Sequence, residues 1–195
     1  MNFILASKSP RRIKLMQDMN IKFKVIESKI NEDDISIQKP HAFCKQLAIK
    51  KSNYVFKKNK NSTVIGADTI VYFDKQIIGK PKNKKEAFNI IKLLSGKDHY
   101  VYTGVSIISK KINYSFYEKT KVTFYDLNDN LIDYYIENFN PYDKAGGYGI
   151  QDWSKIFIKE INGCYYNVIG LPIPKLFKIF GDKIQLNNFI KKNNK

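Results

Sequence analysis

Phe3-Ile4-Leu5-Ala6-Ser7-Lys8-Ser9-Pro10-Arg11-Arg12 runs from apolar residues into a serine-bearing turn, then a proline, then two arginines. The apolar run reads as a buried strand, and the residues from Ser9 onward read as the first turn of a helix. Ser9 is a good N-cap, because its hydroxyl can accept from backbone N–H groups that the first turn leaves open. Pro10 suits the next position, where it sacrifices no hydrogen bond and its fixed φ fits the helix. Open N–H donors, two hydroxyls and two guanidinium groups thus meet at one helix start, a combination suited to a polyphosphate. A well-capped helix with solvated arginines would give the same residues, so the rest of the chain must decide.

Beyond this stretch the pattern alternates. Asn2–Ala6 reads as a strand, Pro10–Met19 as a helix and Lys22–Ile26 as a second strand, followed by an acidic turn at Asn31-Glu32-Asp33-Asp34. Pro40–Lys57 has helical spacing, Ser62–Ala67 is a buried strand ending at Asp68-Thr69, and Ile70–Phe73 continues extended into a turn and Ile77-Ile78. Lys84–Leu94 is a helix stopped by Ser95-Gly96. His99–Ile108 and Ile112–Tyr125 form a long hairpin. Asp129–Phe139 is a helix capped by Asn128, Trp153–Ile161 a strand, and Leu171-Pro172 opens a last helix through Phe180. Strands alternating with helices, with hairpins among them, predict an α/β fold. Its sheet should be mixed and twisted, with flanking helices.

Length and composition narrow the class. The 195 residues fit one domain spanning 1–195, or one domain divided into two lobes by a cleft. No apolar run reaches membrane-spanning length, and the N-terminal residues lack the apolar segment of a secretory signal. Cys44 and Cys164 lie far apart without metal-ligand spacing and are expected to be reduced thiols of a cytoplasmic protein. The net charge of +16 raises a nucleic-acid reading. The lysines, however, are spread along the chain among many Asn, Ile, Tyr and Phe, residues whose codons are all A/T-rich. The dense basic run from Lys50 to Lys60 reads as a solvated helix face.

Three constellations could carry chemistry. Gly66-Ala67-Asp68-Thr69 puts a carboxylate after a buried apolar strand, at the sheet edge where α/β proteins bind ligands; a turn cap would use the same residues. Gly79-Lys80-Pro81 combines close backbone approach, a point charge and a stiff exit, which suits a phosphate but is also an ordinary turn. Asp143-Lys144-Ala145-Gly146-Gly147-Tyr148-Gly149-Ile150-Gln151 surrounds one lysine with small residues, as in a loop packed against a ligand or another backbone. It is not a Walker loop, and Gln151 offers the donor and acceptors that reading a base edge needs. No Gly-x-Ser-x-Gly elbow or His-rich metal signature occurs. His41 and His99 read as surface or strand residues, which leaves acid–base work to carboxylates.

In order and spacing these stretches resemble the Maf family of nucleotide pyrophosphatases. Leu94-Ser95-Gly96, Tyr102-Thr103-Gly104-Val105 and Asn167-Val168-Ile169-Gly170-Leu171-Pro172 add to the resemblance, which spans nearly the whole chain. It implies a two-lobed fold similar to that of the inosine triphosphatases. It also implies hydrolysis of a nucleoside triphosphate to the monophosphate and pyrophosphate, a divalent metal (Mg²⁺, or Mn²⁺ in its place) and a homodimer. By position, Asp68 matches the family's proton acceptor, and Glu32, Lys51 and Lys80 its polar cleft residues. Ser7, Arg11 and Arg12 match its phosphate-side loop. Arg11, Thr69 and Gln151 match the specificity residues of the branch acting on dTTP and UTP. The expected division of labour puts Ser7, Arg12, Lys51 and Lys80 on the phosphates, the metal on Asp68 and Glu32, and proton abstraction from water on Asp68. Two departures stand out: Asn31-Glu32 replaces the usual Asp-Glu, and Gly146-Gly147 replaces Gly-Ala, which should loosen that loop. The competing reading is a non-catalytic basic protein acting on cell division or nucleic acid, indifferent to Asp68 and salt-sensitive in binding.

Overall fold

The computed structural model describes residues 2–31 and 39–184. The carboxylates of the acidic turn, Glu32 included, lie outside the described residues. Among the described residues there are six α-helices and seven strands, in the expected order save for one short helix, Tyr165–Ile169, that the sequence pattern leaves unassigned. The strands are β1 (Phe3–Leu5), β2 (Phe23–Val25), β3 (Thr63–Phe73), β4 (Gln76–Ile78), β5 (Asp98–Ile108), β6 (Asn113–Phe124) and β7 (Ile158–Asn162). The helices are α1 (Pro10–Asp18), α2 (Pro40–Phe56), α3 (Lys84–Leu94), α4 (Asp129–Asn138), α5 (Tyr165–Ile169) and α6 (Ile173–Ile184). The sheet is mixed, as expected, with strand order β2-β1-β3-β5-β6-β7 and β4 paired to the far end of β3. β1 runs parallel to β2 and β3, and every other pairing is antiparallel.

The caps behave as the residue types dictate. Ser9 Oγ accepts from the Arg12 N–H, Asn83 from Glu86 and Asn128 from Leu131. Asp74 and Lys75 both adopt positive φ, the two-residue turn that joins strands of natural twist. Two local expectations fail. Asp68 and Thr69 do not end a strand, because β3 runs unbroken from Thr63 to Phe73. Trp153–Ile161 is not strand throughout, because Trp153–Phe157 forms a 3₁₀ turn before β7 begins. The cause is packing. Trp153 stacks with Tyr135 and Phe139 at centroid distances of 6.0 and 5.0 Å, and Ser154 Oγ both donates to and accepts from the Gly149 backbone.

Two apolar cores share one face of the sheet. Phe3, Leu5, Met16, Ile65, Ala67, Ile107, Leu171 and Phe180 form the first, and Val71, Ala87, Ile91, Val101, Phe124, Ile132, Tyr135 and Phe157 the second. Alternation along β3 puts Ile65 and Ala67 in the first core and Val71 in the second, with Thr69 between them. The opposite face of β3, carrying Gly66, Asp68 and Ile70, is covered by α2. Among the described residues no helix is long and apolar enough to cross a membrane.

His99 on β5 is fully buried against Phe124, and its Nε2 shares a 2.7 Å hydrogen bond with the Tyr148 hydroxyl. Burial pushes its pKa down to about 4, only partly offset by the Lys97 backbone and the Asp98 charge. Above the usual imidazole pKa both folded and unfolded chains hold it neutral. As pH falls from about 6.5 to about 4 the unfolded chain takes up the proton first, so stability is lost in that window. We expect urea unfolding of His99→Phe to lose about 3 kcal/mol less than the native chain between those pH values. Parallel pH profiles would refute this.

Candidate active site

The site arises from a gap in strand pairing. On one edge of β3, β1 pairs only as far as Leu5↔Ile65, and β4 pairs from Ile78↔Val71 onward. Between these registers β3 has no strand neighbour on that edge among the described residues, so its backbone and the side chains of Asp68 and Thr69 border a notch. Past the ends of β1 and β4 the chain turns away through Ser7–Pro10 and Gly79–Pro81. A cleft of about 660 Å³ fills the notch and reaches between the two cores. Ser7, Arg11, Arg12, Lys51, Asp68, Thr69, Lys80 and Gln151 all line it. Of the expected site residues only Glu32 falls outside the described residues.

On the α2 side, Lys51 Nζ donates to Asp68 Oδ1 at 2.6 Å, with only 8% and 7% of the two residues exposed. Lys51 was expected on the phosphates; here it grips the carboxylate. α2 presents it because Cys44, Ala48, Lys51, Ser52 and Val55 form one buried helical stripe. Burial and, secondarily, the negative charge of Asp68 push the Cys44 thiol up to about 12, so it stays protonated.

On the other face, Arg12 Nε donates to the Gly170 carbonyl at 2.9 Å, Nη1 to Ser7 Oγ at 3.3 Å and Nη2 to Thr69 Oγ1 at 3.0 Å. Thr103 Oγ1 donates to the Asn167 carbonyl at 2.9 Å, which makes Thr69 the donor in the 3.0 Å Thr69–Thr103 bond. A chain of polar groups thus crosses the seam between the two cores and ties α1, β3, β5 and α5 together. Arg12 is embedded in this chain rather than simply projecting into solvent.

The opposite wall is the glycine loop. Gly146 and Gly147 have φ of 73° and 72°, and the Gly146 N–H donates to the Gly79 carbonyl at 2.9 Å, which anchors the turn bearing the exposed Lys80. Arg11 reaches this wall: Nη1 donates to Asp143 Oδ2 at 2.6 Å and Nη2 to the Asp143 carbonyl at 3.0 Å. Burial alone would raise the Asp143 pKa, but hydrogen bonds from Lys144 and Arg11 outweigh it and hold the carboxyl below its usual range. The loop that the doubled glycine was expected to loosen is buried at both glycines, and Tyr135 donates to the Gly147 carbonyl at 3.1 Å.

The arrangement is a largely basic cleft around one enclosed carboxylate, a form suited to a polyanion bearing one reactive centre. Sequence reasoning missed the Thr103 and Gly170 contacts and the part played by Lys144. All three lie in quoted motifs, but nothing local in those motifs discloses a long-range partner.

A family model described as Maf-like protein matches residues 2–182. The chain belongs to the Maf family. The dTTP/UTP pyrophosphatase of Bacillus cytotoxicus is 47% identical over 176 residues, covering 90% of this chain and 92% of that protein. The dTTP/UTP pyrophosphatase of Bacillus mycoides is 46% identical over 175 residues, with the same coverage. Among solved structures, the Ham1 protein of Staphylococcus aureus overlays on 64% of this Maf chain and 72% of its own. Its TM-score is 0.45 and its identity 18%.

Proposed function

We propose that this Maf protein hydrolyses dTTP and UTP to the nucleoside monophosphate and pyrophosphate, clearing such triphosphates from the nucleotide pool. The observation that carries this reading is Asp68, a carboxylate held by Lys51 inside a cleft whose other charged groups are mostly cations. The relatives named dTTP/UTP pyrophosphatase support the choice of substrate.

In this mechanism Ser7, Arg12 and Lys80 hold the triphosphate in line for attack at the α-phosphorus, and Lys51 orients Asp68 while adding positive charge beside it. Asp68 accepts a proton from the attacking water, the bond from the α-phosphorus to the bridging oxygen breaks, and pyrophosphate leaves. Arg11, Thr69 and Gln151 face the nucleoside.

Pyrophosphatases of this family use a divalent metal, and we propose Mg²⁺, with Mn²⁺ able to replace it. Among the described residues no group of three His, Cys, Asp or Glu side chains forms a cage. A lone enclosed carboxylate fits an ion such as Mg²⁺, which takes one or two protein carboxylates and completes its shell with phosphate oxygens and water. Asp68 would hold it, with Glu32 as the second ligand, and the ion would neutralise phosphate charge. We further propose that residues 1–195 act as one domain, in a cytoplasmic homodimer.

The test is pyrophosphate release from a panel of canonical and modified triphosphates with Mg²⁺ or Mn²⁺. We expect dTTP and UTP to lead the panel. We also expect Gln151→Ala to lower kcat/KM for them by about tenfold while changing purine triphosphates by less than about twofold. An equal loss on every triphosphate would remove Gln151 from base selection, and release from none would remove the enzyme reading.

A further inference from the structure

One lysine ties together both ends of the base-facing wall. The side chain of Lys144 is only 10% exposed, although lysine normally keeps its ammonium in water. Its Nζ donates to Asp143 Oδ1 at 2.7 Å and to the Asn140 carbonyl, and lies 3.2 Å from Asp152 Oδ2 as an ion pair. Each carboxylate then leads to a residue assigned above to the nucleoside. Asp143 grips Arg11 through its other carboxylate oxygen and its carbonyl. The Asp152 N–H donates to the Gly149 carbonyl at 3.0 Å, closing the turn Gly149-Ile150-Gln151-Asp152 with Gln151 at its third position. The turn sits directly on the lysine. A Cβ at Gly149 would lie 2.5 Å from Asp152 Oδ2 and 3.1 Å from Lys144 Cε.

We infer that Lys144 is a positioning residue that sets the distance between Arg11 and Gln151, and thereby selects the base without contacting it. The inference rests on the proposed function. Arg11 and Gln151 stand on separate segments, a helix start and a turn, and the ammonium of Lys144 bridges the carboxylates beside them, by a hydrogen bond to Asp143 and an ion pair with Asp152. Removing that charge unties Asp152 from Asp143, so the turn bearing Gln151 is no longer held to the segment that grips Arg11. Arg12 is held by Ser7, Thr69 and Gly170, and Lys51 by Asp68, none of these contacts running through Lys144, so the effect falls on discrimination rather than on phosphate binding.

The experiment compares the native chain with Lys144→Met, Lys144→Arg and Asp152→Asn. It measures kcat/KM for dTTP and for dGTP, and inhibition by inorganic tripolyphosphate, which has no base. Lys144→Met is expected to lower the dTTP-to-dGTP ratio by about tenfold, mainly through KM for dTTP, with tripolyphosphate inhibition changed by less than about twofold. Asp152→Asn, which keeps the contact between Lys144 and Asp143, is expected to reproduce most of that loss, and Lys144→Arg to recover part of it. If Lys144→Met melts before assay, Asp152→Asn decides. An unchanged ratio overturns the inference. So does an equal loss on both nucleotides with tripolyphosphate inhibition weakened in step, which marks collapse of the whole cleft. A native chain that acts on no triphosphate fails the functional reading and takes the inference with it. A selective native chain with an equally selective Lys144→Met fails the inference alone.

Discussion

Asp68→Asn is expected to lower pyrophosphate release from dTTP by about a thousandfold, while the dissociation constant for the nucleotide changes by no more than about threefold. The substitution keeps the size of the side chain and an acceptor oxygen for Lys51. It removes the basic oxygen that takes the proton of the attacking water. The cations proposed to hold the triphosphate stand on other elements: Arg12 on α1, anchored by Ser7, Thr69 and Gly170, and Lys80 on the turn bonded to Gly146. Binding should therefore survive. A stability cost of about 2 kcal/mol is also expected, because the Lys51 charge, nearly enclosed, loses the opposite charge 2.6 Å away. Single-turnover pyrophosphate release and calorimetric titration with dTTP separate the two effects. Release within tenfold of the native rate would show that Asp68 is not the proton acceptor. A loss of both binding and release would assign it to holding the substrate.

The sequence conveyed the elements and much of the site, but not how the site is made. Periodicity located five of the six helices among the described residues, and the caps Ser9 and Asn128 were legible because each acts within three residues of itself. The mixed sheet followed from the hairpins. The cleft itself comes from registers: β1 stops at Leu5, β4 starts opposite Val71, and the gap on that edge of β3 holds Asp68 and Thr69 in mid-strand. Where a strand's partners end depends on pairings distant in sequence, so Asp68 read as the end of a strand. The Trp153 segment misled for a related reason, since its apolar residues suit a strand until Tyr135 and Phe139 claim the indole. By its place in the chain Lys51 read as part of a solvated helix face, and only the family resemblance set it in the cleft, on the phosphates. Its 2.6 Å contact with Asp68 depends on how closely α2 approaches the sheet.

That approach is the subject of the second large effect. Gly104→Ala is expected to destabilise the chain by about 3 kcal/mol or more, although alanine is intrinsically the better residue inside regular structure. Gly104 on β5 pairs with Asp68 on β3, and α2 lies flat upon it. A Cβ at Gly104 would stand 2.3 Å from the Cys44 carbonyl carbon and 2.5 Å from the Lys45 nitrogen. At Gly66 it would stand 2.3 Å from the Ala48 carbonyl oxygen. Cys44 and Ala48 are one helical turn apart, so the two glycines seat successive turns of α2. The obstructing atoms are helix backbone, which cannot rotate aside as a side chain would. An added methyl must therefore lift the helix, opening the packing around Cys44 and weakening the 2.8 Å bond between the Ser52 and Ser106 hydroxyls. Lys51 lies on the same buried stripe, so lifting α2 also draws its ammonium from Asp68. Gly104→Ala should thus lose activity as well as stability, with Gly66→Ala behaving alike. Ser52→Ala, which removes the hydroxyl's bonds to the Ile49 carbonyl and to Ser106 but keeps the close approach, should cost less, about 1–2 kcal/mol. Urea unfolding of the three variants ranks them. A Gly104→Ala chain as stable as the native one would mean that the glycine is not needed to seat the helix, and that the position of Lys51 is set by something other than the contact of α2 with β5.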